Sequence, residues 1–88
     1  SVILLPDGYT TSNVGGVSYY YYAGVFYTMS GGNYNVVSPS TGAIVPSLPE
    51  GASTVVSSNG NNLMIYNGTY YQPIIQNGNN AYEVVNGQ

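Results

Sequence analysis

The sequence contains no lysine, arginine, histidine, cysteine or tryptophan, and most of these absences exclude a class of function. A chain without cations cannot neutralise the phosphates of nucleic acids or the headgroups of anionic membranes. A chain without histidine or lysine lacks the usual general bases that activate a serine or threonine nucleophile. The usual nitrogen and sulfur ligands of metals are missing as well. We therefore expect no enzyme, no metal or cofactor site and no nucleic-acid partner.

Charge of either sign is scarce. Only 3% of the residues are charged, against a usual ~25%. Asp7 and Glu50 occupy equivalent turns, where acidic residues are usually solvated, and Glu83 is isolated. Soluble proteins normally use net charge to stay apart, so this chain should associate easily. No apolar run approaches the ~18 residues of a membrane-spanning helix. These features favour a secreted protein, extracellular or at the cell surface, whose main partner is another copy of itself.

The chain contains an internal repeat. Leu5–Gly8 returns 43 residues later as Leu48–Gly51, and Tyr22–Tyr27 returns 44 residues later as Tyr66–Tyr71. Repeats of this size usually mark one supersecondary unit that is used more than once. A single unit of this length buries too little apolar surface to fold alone. The sequence therefore predicts two tandem β-hairpin repeats that fold as one unit, the first over residues 1–47 and the second over residues 48–88.

The predicted elements are all strands. Asn67–Gly68 is a strong type I′ hairpin signal because both central residues of that turn need positive φ, and Ala23–Gly24 is its equivalent in the first repeat. Replacing Gly24 or Gly68 by valine should therefore cost about the same. We expect an all-β fold, either a small sandwich or a pair of SH3-like barrels. The predicted strands are Tyr9–Val14, Val17–Tyr22, Val25–Met29, Tyr34–Val37, Ala43–Val45, Thr54–Ser57, Leu63–Tyr66, Thr69–Ile75 and Ala81–Val85.

A run of four tyrosines lies in the second predicted strand. Alternation places Tyr19 and Tyr21 on one face and Tyr20 and Tyr22 on the other. In one interpretation, one pair fills the core and the other forms a cross-strand ladder. In the second interpretation, one face packs within the subunit and the other packs on a neighbouring subunit. The other aromatic residues expected in the ladder are Phe26, Tyr70 and Tyr71.

The amino-terminal segment Val2–Leu5 is apolar and corresponds to the segment that joins the two repeats. An exposed apolar strand promotes association unless a partner covers it. We expect this segment to add a strand beside Ala81–Val85 of a neighbouring subunit, and such a contact yields a filament if it does not close. The alternative is that the segment folds back on its own domain. The predicted interface residues are Val2, Ile3, Leu4, Leu5, Tyr82, Val84 and Val85.

Asn67 also begins the sequence Asn67–Gly68–Thr69, which matches the acceptor pattern for N-glycosylation. The hairpin turn alone explains the same three residues. Both interpretations place Asn67 at the surface, and it is a candidate glycosylation site.

Three segments, Ser38–Gly51, Tyr66–Pro73 and Tyr82–Val85, resemble a family of exported bacterial proteins of unknown function. The shared pattern contains the motifs YYYxNGVYYxP, GAxVPxLPxG and YxVV, and the resemblance covers most of residues 8–85. The resemblance implies an exported or envelope-associated protein and assigns no catalytic residues. Family-like sequences often carry arginine after the paired tyrosines, where this chain has Thr28 and Gln72.

The expected function is a structural subunit that self-associates head to tail into a fibre or a surface matrix. The alternative is a secreted carbohydrate-binding β module whose exposed tyrosines stack on sugars. Polymers that grow with concentration would favour the first function, and a monomer with a saturable aromatic groove would favour the second.

Overall fold

The computed structural model describes residues 5–87, which form strands and turns without a helix. The predicted all-β class is therefore confirmed. Of the expected amino-terminal strand, Val2, Ile3 and Leu4 lie outside the described residues, and Leu5 is not in a strand. The strands in chain order are β1 (Thr10–Val14), β2 (Val17–Tyr22), β3 (Val25–Ser30), β4 (Asn33–Val37), β5 (Ile44–Val45), β6 (Ser53–Val56), β7 (Asn62–Tyr66), β8 (Thr69–Gln76) and β9 (Asn79–Val85).

The strands form two antiparallel sheets. The first sheet has the order β1-β2-β3-β4, and the second sheet has the order β5-β9-β8-β7-β6. The sheets approach each other at β1 and β5, where the backbone N–H of Ile44 donates to the hydroxyl of Ser12 at 3.0 Å. A side chain accepts this bond, and within residues 5–87 no backbone ladder joins the two sheets. The described residues form no closed barrel, so the prediction of an SH3-like barrel pair is wrong.

Tight turns set the register of each sheet. Asn67 and Gly68 have φ values of 52° and 79°, as a type I′ turn requires, which confirms the predicted hairpin. Ala23 and Gly24 adopt the same conformation at 48° and 89°. Further turns with two positive-φ residues join β1 to β2, β3 to β4 and β8 to β9. Short turns of this kind make sequential strands neighbours, which explains the sequential order of β1 to β4.

One hydrophobic core draws on both sheets. Tyr21 and Phe26 come from the first sheet, with ring centroids 5.0 Å apart, and Val45, Tyr71 and Val84 come from the second. Full burial of side chains of this size stabilises a fold by ~1.5–3 kcal/mol each. The hydroxyl of Tyr21 donates to the backbone carbonyl of Ser47 at 2.7 Å, so its polar end is also satisfied.

The short strand β5 lies against β9. Ile44 pairs with Glu83 and Val45 pairs with Tyr82. The ladder continues where the N–H of Val84 donates to the carbonyl of Ala43 at 2.8 Å. Along these residues β9 is therefore an interior strand, with β8 on one side and β5 on the other.

Candidate functional site

The outer face of the first sheet carries a cluster of tyrosines. The ring of Tyr20 lies edge-to-face with the ring of Tyr9 at 5.8 Å and with the ring of Tyr34 at 5.4 Å. We call Tyr9, Tyr20 and Tyr34 the tyrosine cluster. Edge-to-face pairs of this kind contribute ~0.5–1.5 kcal/mol beyond the area that they bury. The three rings therefore hold one another in place on the surface.

The strand register explains why these rings meet. Tyr20 lies opposite Thr11 on β1 and Tyr27 on β3, and residues in register point to the same face. Tyr19 and Tyr21 point the other way, towards the core. The alternation predicted for the tyrosine run is therefore present. The aromatic residues beside Tyr20 are not the expected ones. Phe26 and Tyr71 lie in the core, and Tyr9 and Tyr34 are the rings that contact Tyr20 instead.

The strands around the tyrosine cluster carry no charge and present both apolar and hydroxyl-bearing side chains. Tyr9 is 45% exposed, and Met29 and Val36 on the same sheet are also exposed. None of the four strands of the first sheet contains a charged residue. The surface therefore offers aromatic rings, methyl groups and hydroxyls, but no ion to a partner.

Two of the four outermost strands form a second feature: β1 and β5 lie against each other, whereas β4 and β6 do not take part in that contact. Among the described residues, β4 and β6 each pair with a neighbour on one side only. Neither strand contains proline or a charged residue. Val36 on β4 and Val56 on β6 are 64% and 68% exposed. Proteins usually protect such edges with charge, proline or a bulge, and these two strands lack the first two of those devices.

Two open cavities lie between elements of the fold. The larger, about 590 Å³, is bordered by the start of β3, the end of β4 and the turn from β7 to β8, and includes Asn67. The smaller, about 280 Å³, lies where β1 and β5 meet the turn from β8 to β9. Neither lining contains an ionisable side chain, so neither cavity offers a group for proton transfer.

The residues predicted for the subunit interface have different environments. Val84 is only 4% exposed and packs in the core, while Tyr82 and Val85 are half-buried. Leu5 is half-buried, and the other three predicted residues of the amino-terminal segment lie outside the described part of the chain. Because β5 already pairs with Tyr82 and Glu83, a strand from another subunit could add there only by displacing β5.

The ionisable groups do not converge. Asp7 and Glu50 are exposed and Glu83 is half-buried, and the described residues contain no group of three acidic side chains that could hold a metal ion. Burial raises the pKa of Tyr71 to about 12, and burial also raises the pKa of Tyr21. Both tyrosines are core residues, so these shifts reflect packing.

Asn67, the candidate glycosylation residue, is exposed at the tip of the hairpin between β7 and β8.

In the described chain, no helix is long and apolar enough to cross a membrane.

A family model described as a family of unknown function (DUF6515) matches residues 1–88. The chain belongs to DUF6515. This membership agrees with the expected resemblance to a family of unknown function, whereas export and the repeat motifs stay predictions. No curated protein and no solved structure matches this DUF6515 chain.

Sequence reasoning missed two features of this DUF6515 member. It did not identify Tyr9 and Tyr34 as neighbours of Tyr20, although each is the first residue of a predicted strand. It also did not single out β4 and β6 as the open edges. The sequence does show that both segments lack charge and proline. Which strands are outermost in a sheet can be seen only from the strand order.

Proposed function

We propose that this protein is an extracellular structural subunit that self-associates head to tail into a fibre or surface matrix, and that edge strands β4 and β6 form the contact. The observation that carries the proposal is that β4 and β6 are uncharged, proline-free edge strands that do not share the contact between the other two edge strands, β1 and β5. An edge strand exposes backbone N–H and C=O groups that another chain can pair with.

The two sheets also support a two-repeat architecture. Four strands in sequence order form the first sheet, and β6 to β9 repeat that order in the second. A Cβ placed on Gly8 would lie 3.8 Å from the ring of Tyr22, and one placed on Gly51 would lie 3.4 Å from the ring of Tyr66. In both halves, the glycine of the Leu-Pro-acid-Gly turn thus lies beside the tyrosine that precedes a hairpin turn. We infer that the chain is two copies of one antiparallel unit sharing a core.

The position of the edges favours a contact that does not close. β4 ends the first sheet and β6 ends the second, so the two edges are different surfaces of the same subunit. Pairing β4 of one copy with β6 of the next leaves one edge free at each end. A heterologous contact of this kind extends into a filament unless its rotation closes a ring. This contact takes the place of the expected docking beside Ala81–Val85, where β5 occupies the strand edge.

The charge of the chain favours such contacts. The net charge is −3 and no cation is present, so copies repel one another weakly and form no intermolecular salt bridges. Assembly should therefore persist in ~1 M salt, where surface ion pairs are screened. The edges are short, with five residues in β4 and four in β6, so each contact should be weak.

Sedimentation velocity over a concentration series tests the proposal. The useful range is about 10 µM to about 1 mM, because contacts that bury less than ~1,000 Å² are weak. Val36→Glu and Val56→Glu place a negative charge on one edge each, at side chains exposed enough to leave the fold intact. Ile75→Glu is the matched control, because Ile75 is 70% exposed and lies on β8, outside both proposed contact strands.

The wild type and Ile75→Glu should show mass increasing with concentration, and each edge variant alone should stay monomeric. Mixing Val36→Glu with Val56→Glu should restore dimers without polymers, since the first variant keeps an intact β6 and the second keeps an intact β4. Dimers of Val56→Glu alone would indicate a symmetric β4–β4 contact and would contradict the head-to-tail arrangement. A wild type that stays monomeric throughout would overturn the proposal.

A further inference from the structure

We propose that the tyrosine cluster is a site of oxidative cross-linking, where a peroxidase with hydrogen peroxide joins Tyr20 by a carbon–carbon bond to Tyr9 or Tyr34. The bond forms within one chain, so the proposal goes beyond self-association and does not depend on it. The observation behind it is that the ring of Tyr20 contacts two other phenol rings, at centroid distances of 5.8 and 5.4 Å.

The composition leaves tyrosine as the side chain that can cross-link this protein by oxidation. No cysteine is present to form a disulfide, and no lysine is present to form an amide or imine link. Tryptophan, the other aromatic side chain that loses an electron readily, is also absent, while tyrosine occurs 11 times. An oxidant that removes single electrons from aromatic rings therefore acts on phenols here.

Ring contacts select Tyr20 among these tyrosines. A radical can move from one tyrosine to another, but a bond between two rings forms only where the rings meet. Within residues 5–87, the tyrosine rings in contact with each other are Tyr9 with Tyr20 and Tyr20 with Tyr34. The remaining aromatic pair joins Tyr21 to Phe26, and phenylalanine has no hydroxyl from which a phenoxyl radical could form. Both possible links therefore include Tyr20.

The steep angles between the rings are compatible with this bond. The new bond joins ring carbons that neighbour the hydroxyl-bearing carbon, so the two rings must meet at their edges and are twisted about the bond. Rings stacked face to face would keep those edges apart, and the interplanar angles of 71° and 85° show that these rings are not stacked. Tyr9 lies just before β1 and is 45% exposed, so its phenol is accessible to the oxidant.

The reaction balances with hydrogen peroxide as the oxidant. Each of two phenols loses one electron and one proton and becomes a phenoxyl radical, and these electrons and protons reduce one peroxide to two waters. The two radicals pair to form the carbon–carbon bond. Each newly bonded carbon then gives its hydrogen to its own phenol oxygen, which restores both aromatic rings and both hydroxyls. The product is dityrosine, and the chain is lighter by two hydrogen atoms.

The link would stabilise the first sheet as a disulfide does in proteins that contain cysteine. A bond from Tyr20 to Tyr34 joins β2 to β4 across β3, and a bond from Tyr20 to Tyr9 joins β2 to the segment before β1. Either bond closes a loop and restricts the unfolded chain. The melting temperature of the cross-linked monomer should therefore rise by ~10 °C or more.

The test treats dilute protein with a peroxidase and a limiting amount of hydrogen peroxide. Dityrosine is followed by its fluorescence, which no tryptophan obscures, and the monomer is isolated and weighed by mass spectrometry. Tyr20→Phe keeps the ring and removes the phenol. Tyr22→Phe is the matched control, because Tyr22 lies on the same strand and is 39% exposed, but contacts no aromatic ring within residues 5–87.

Cleavage with cyanogen bromide locates the bond. The reagent cuts after methionine, and the chain has 2 methionines, so it separates residues 1–29 from residues 30–64. A bond between Tyr20 and Tyr34 keeps these two fragments together. A bond between Tyr9 and Tyr20 leaves the first fragment separate and lighter by two hydrogen atoms. Methionine sulfoxide formed by the peroxide is reduced before cleavage, because it resists the reagent.

The wild type and Tyr22→Phe should form dityrosine within the monomer, with yields that agree within about twofold. Tyr20→Phe should lose at least about tenfold in this yield, because no two of its remaining tyrosine rings are in contact within residues 5–87. The bond should lie in one of the two positions that cleavage distinguishes.

Four results would overturn the proposal. The first is a wild type that forms no dityrosine, and the second is one that forms it only between chains, as dimers without a cross-linked monomer. The third is an equal loss of yield in Tyr20→Phe and Tyr22→Phe, because exposure and not ring contact would then decide the site. The fourth is a cross-linked monomer whose bond includes the fragment of residues 65–88.

Discussion

Gly24 and Gly68 occupy the same place in two equivalent hairpin turns, yet their surroundings differ. Both glycines have positive φ, at 89° and 79°. A Cβ placed on Gly68 would meet no atom within 4 Å. A Cβ placed on Gly24 would overlap the ring of Tyr66, with Cδ2 at 2.9 Å, and would lie 3.0 Å from Cγ of Pro49. The structure therefore separates two substitutions that the repeat alone predicts to be equal.

The magnitudes follow from two independent costs. An alanine held at positive φ costs ~1–2 kcal/mol at either position. Overpacking adds ~1–3 kcal/mol, and it applies only at Gly24. The ring of Tyr66 has little room to retreat, because Gly51 lies close to it as well. We expect Gly68→Ala to destabilise by about 1–2 kcal/mol and Gly24→Ala by about 2–5 kcal/mol.

Urea unfolding followed by far-UV circular dichroism measures both changes, at low protein concentration to avoid association. In a domain of this size, 1 kcal/mol also shifts the melting temperature by ~4–8 °C, so thermal melts give a second measurement. In a Tyr66→Ala background, the cost of Gly24→Ala should fall towards that of Gly68→Ala, because the overlapping ring is gone and only Cγ of Pro49 remains close. Equal costs for the two glycine changes in the wild-type background would refute the packing argument.

Three further changes probe the turn, the core and the junction of the sheets. Ala23 holds a φ of 48°, which a β-carbon disfavours, so Ala23→Gly should stabilise the fold by ~0.5–1 kcal/mol in urea titrations; a loss of stability would contradict this explanation. Burial raises the pKa of Tyr71 to about 12 from an ordinary 10.0, so the unfolded chain releases that proton first. The free energy of unfolding should be constant below about pH 10 and should fall towards pH 12, and Tyr71→Phe should reduce this fall. The same loss of stability in Tyr71→Phe and in the wild type would contradict this assignment. Ser12→Ala removes the acceptor for the N–H of Ile44, a part-buried bond, and should destabilise the fold by ~0.5–1.5 kcal/mol; an unchanged melting temperature would refute a role for this bond in joining the sheets.

The fold class and the hairpins could be predicted from the sequence because they depend on neighbouring residues. The turn at Asn67–Gly68 needs only two residues that tolerate positive φ, and both adopt it. The division of the tyrosine run between two faces needs only the two-residue period of a strand. The lack of cations is a property of composition and holds in any fold.

The strand order, the edges and the site depended on contacts between residues far apart in the chain. Ile44 pairs with Glu83 across 39 positions, and no local pattern shows that this pairing occupies the side of β9 where a neighbouring subunit was expected to dock. Gly24 meets Tyr66 of the other sheet, so two turns with the same backbone tolerate side chains differently. Tyr9 and Tyr34 reach Tyr20 because the pleat and the register of three strands bring their rings to one face. Backbone turns are decided by residues next to each other, whereas edges, crowding and clusters exist only once distant strands have packed.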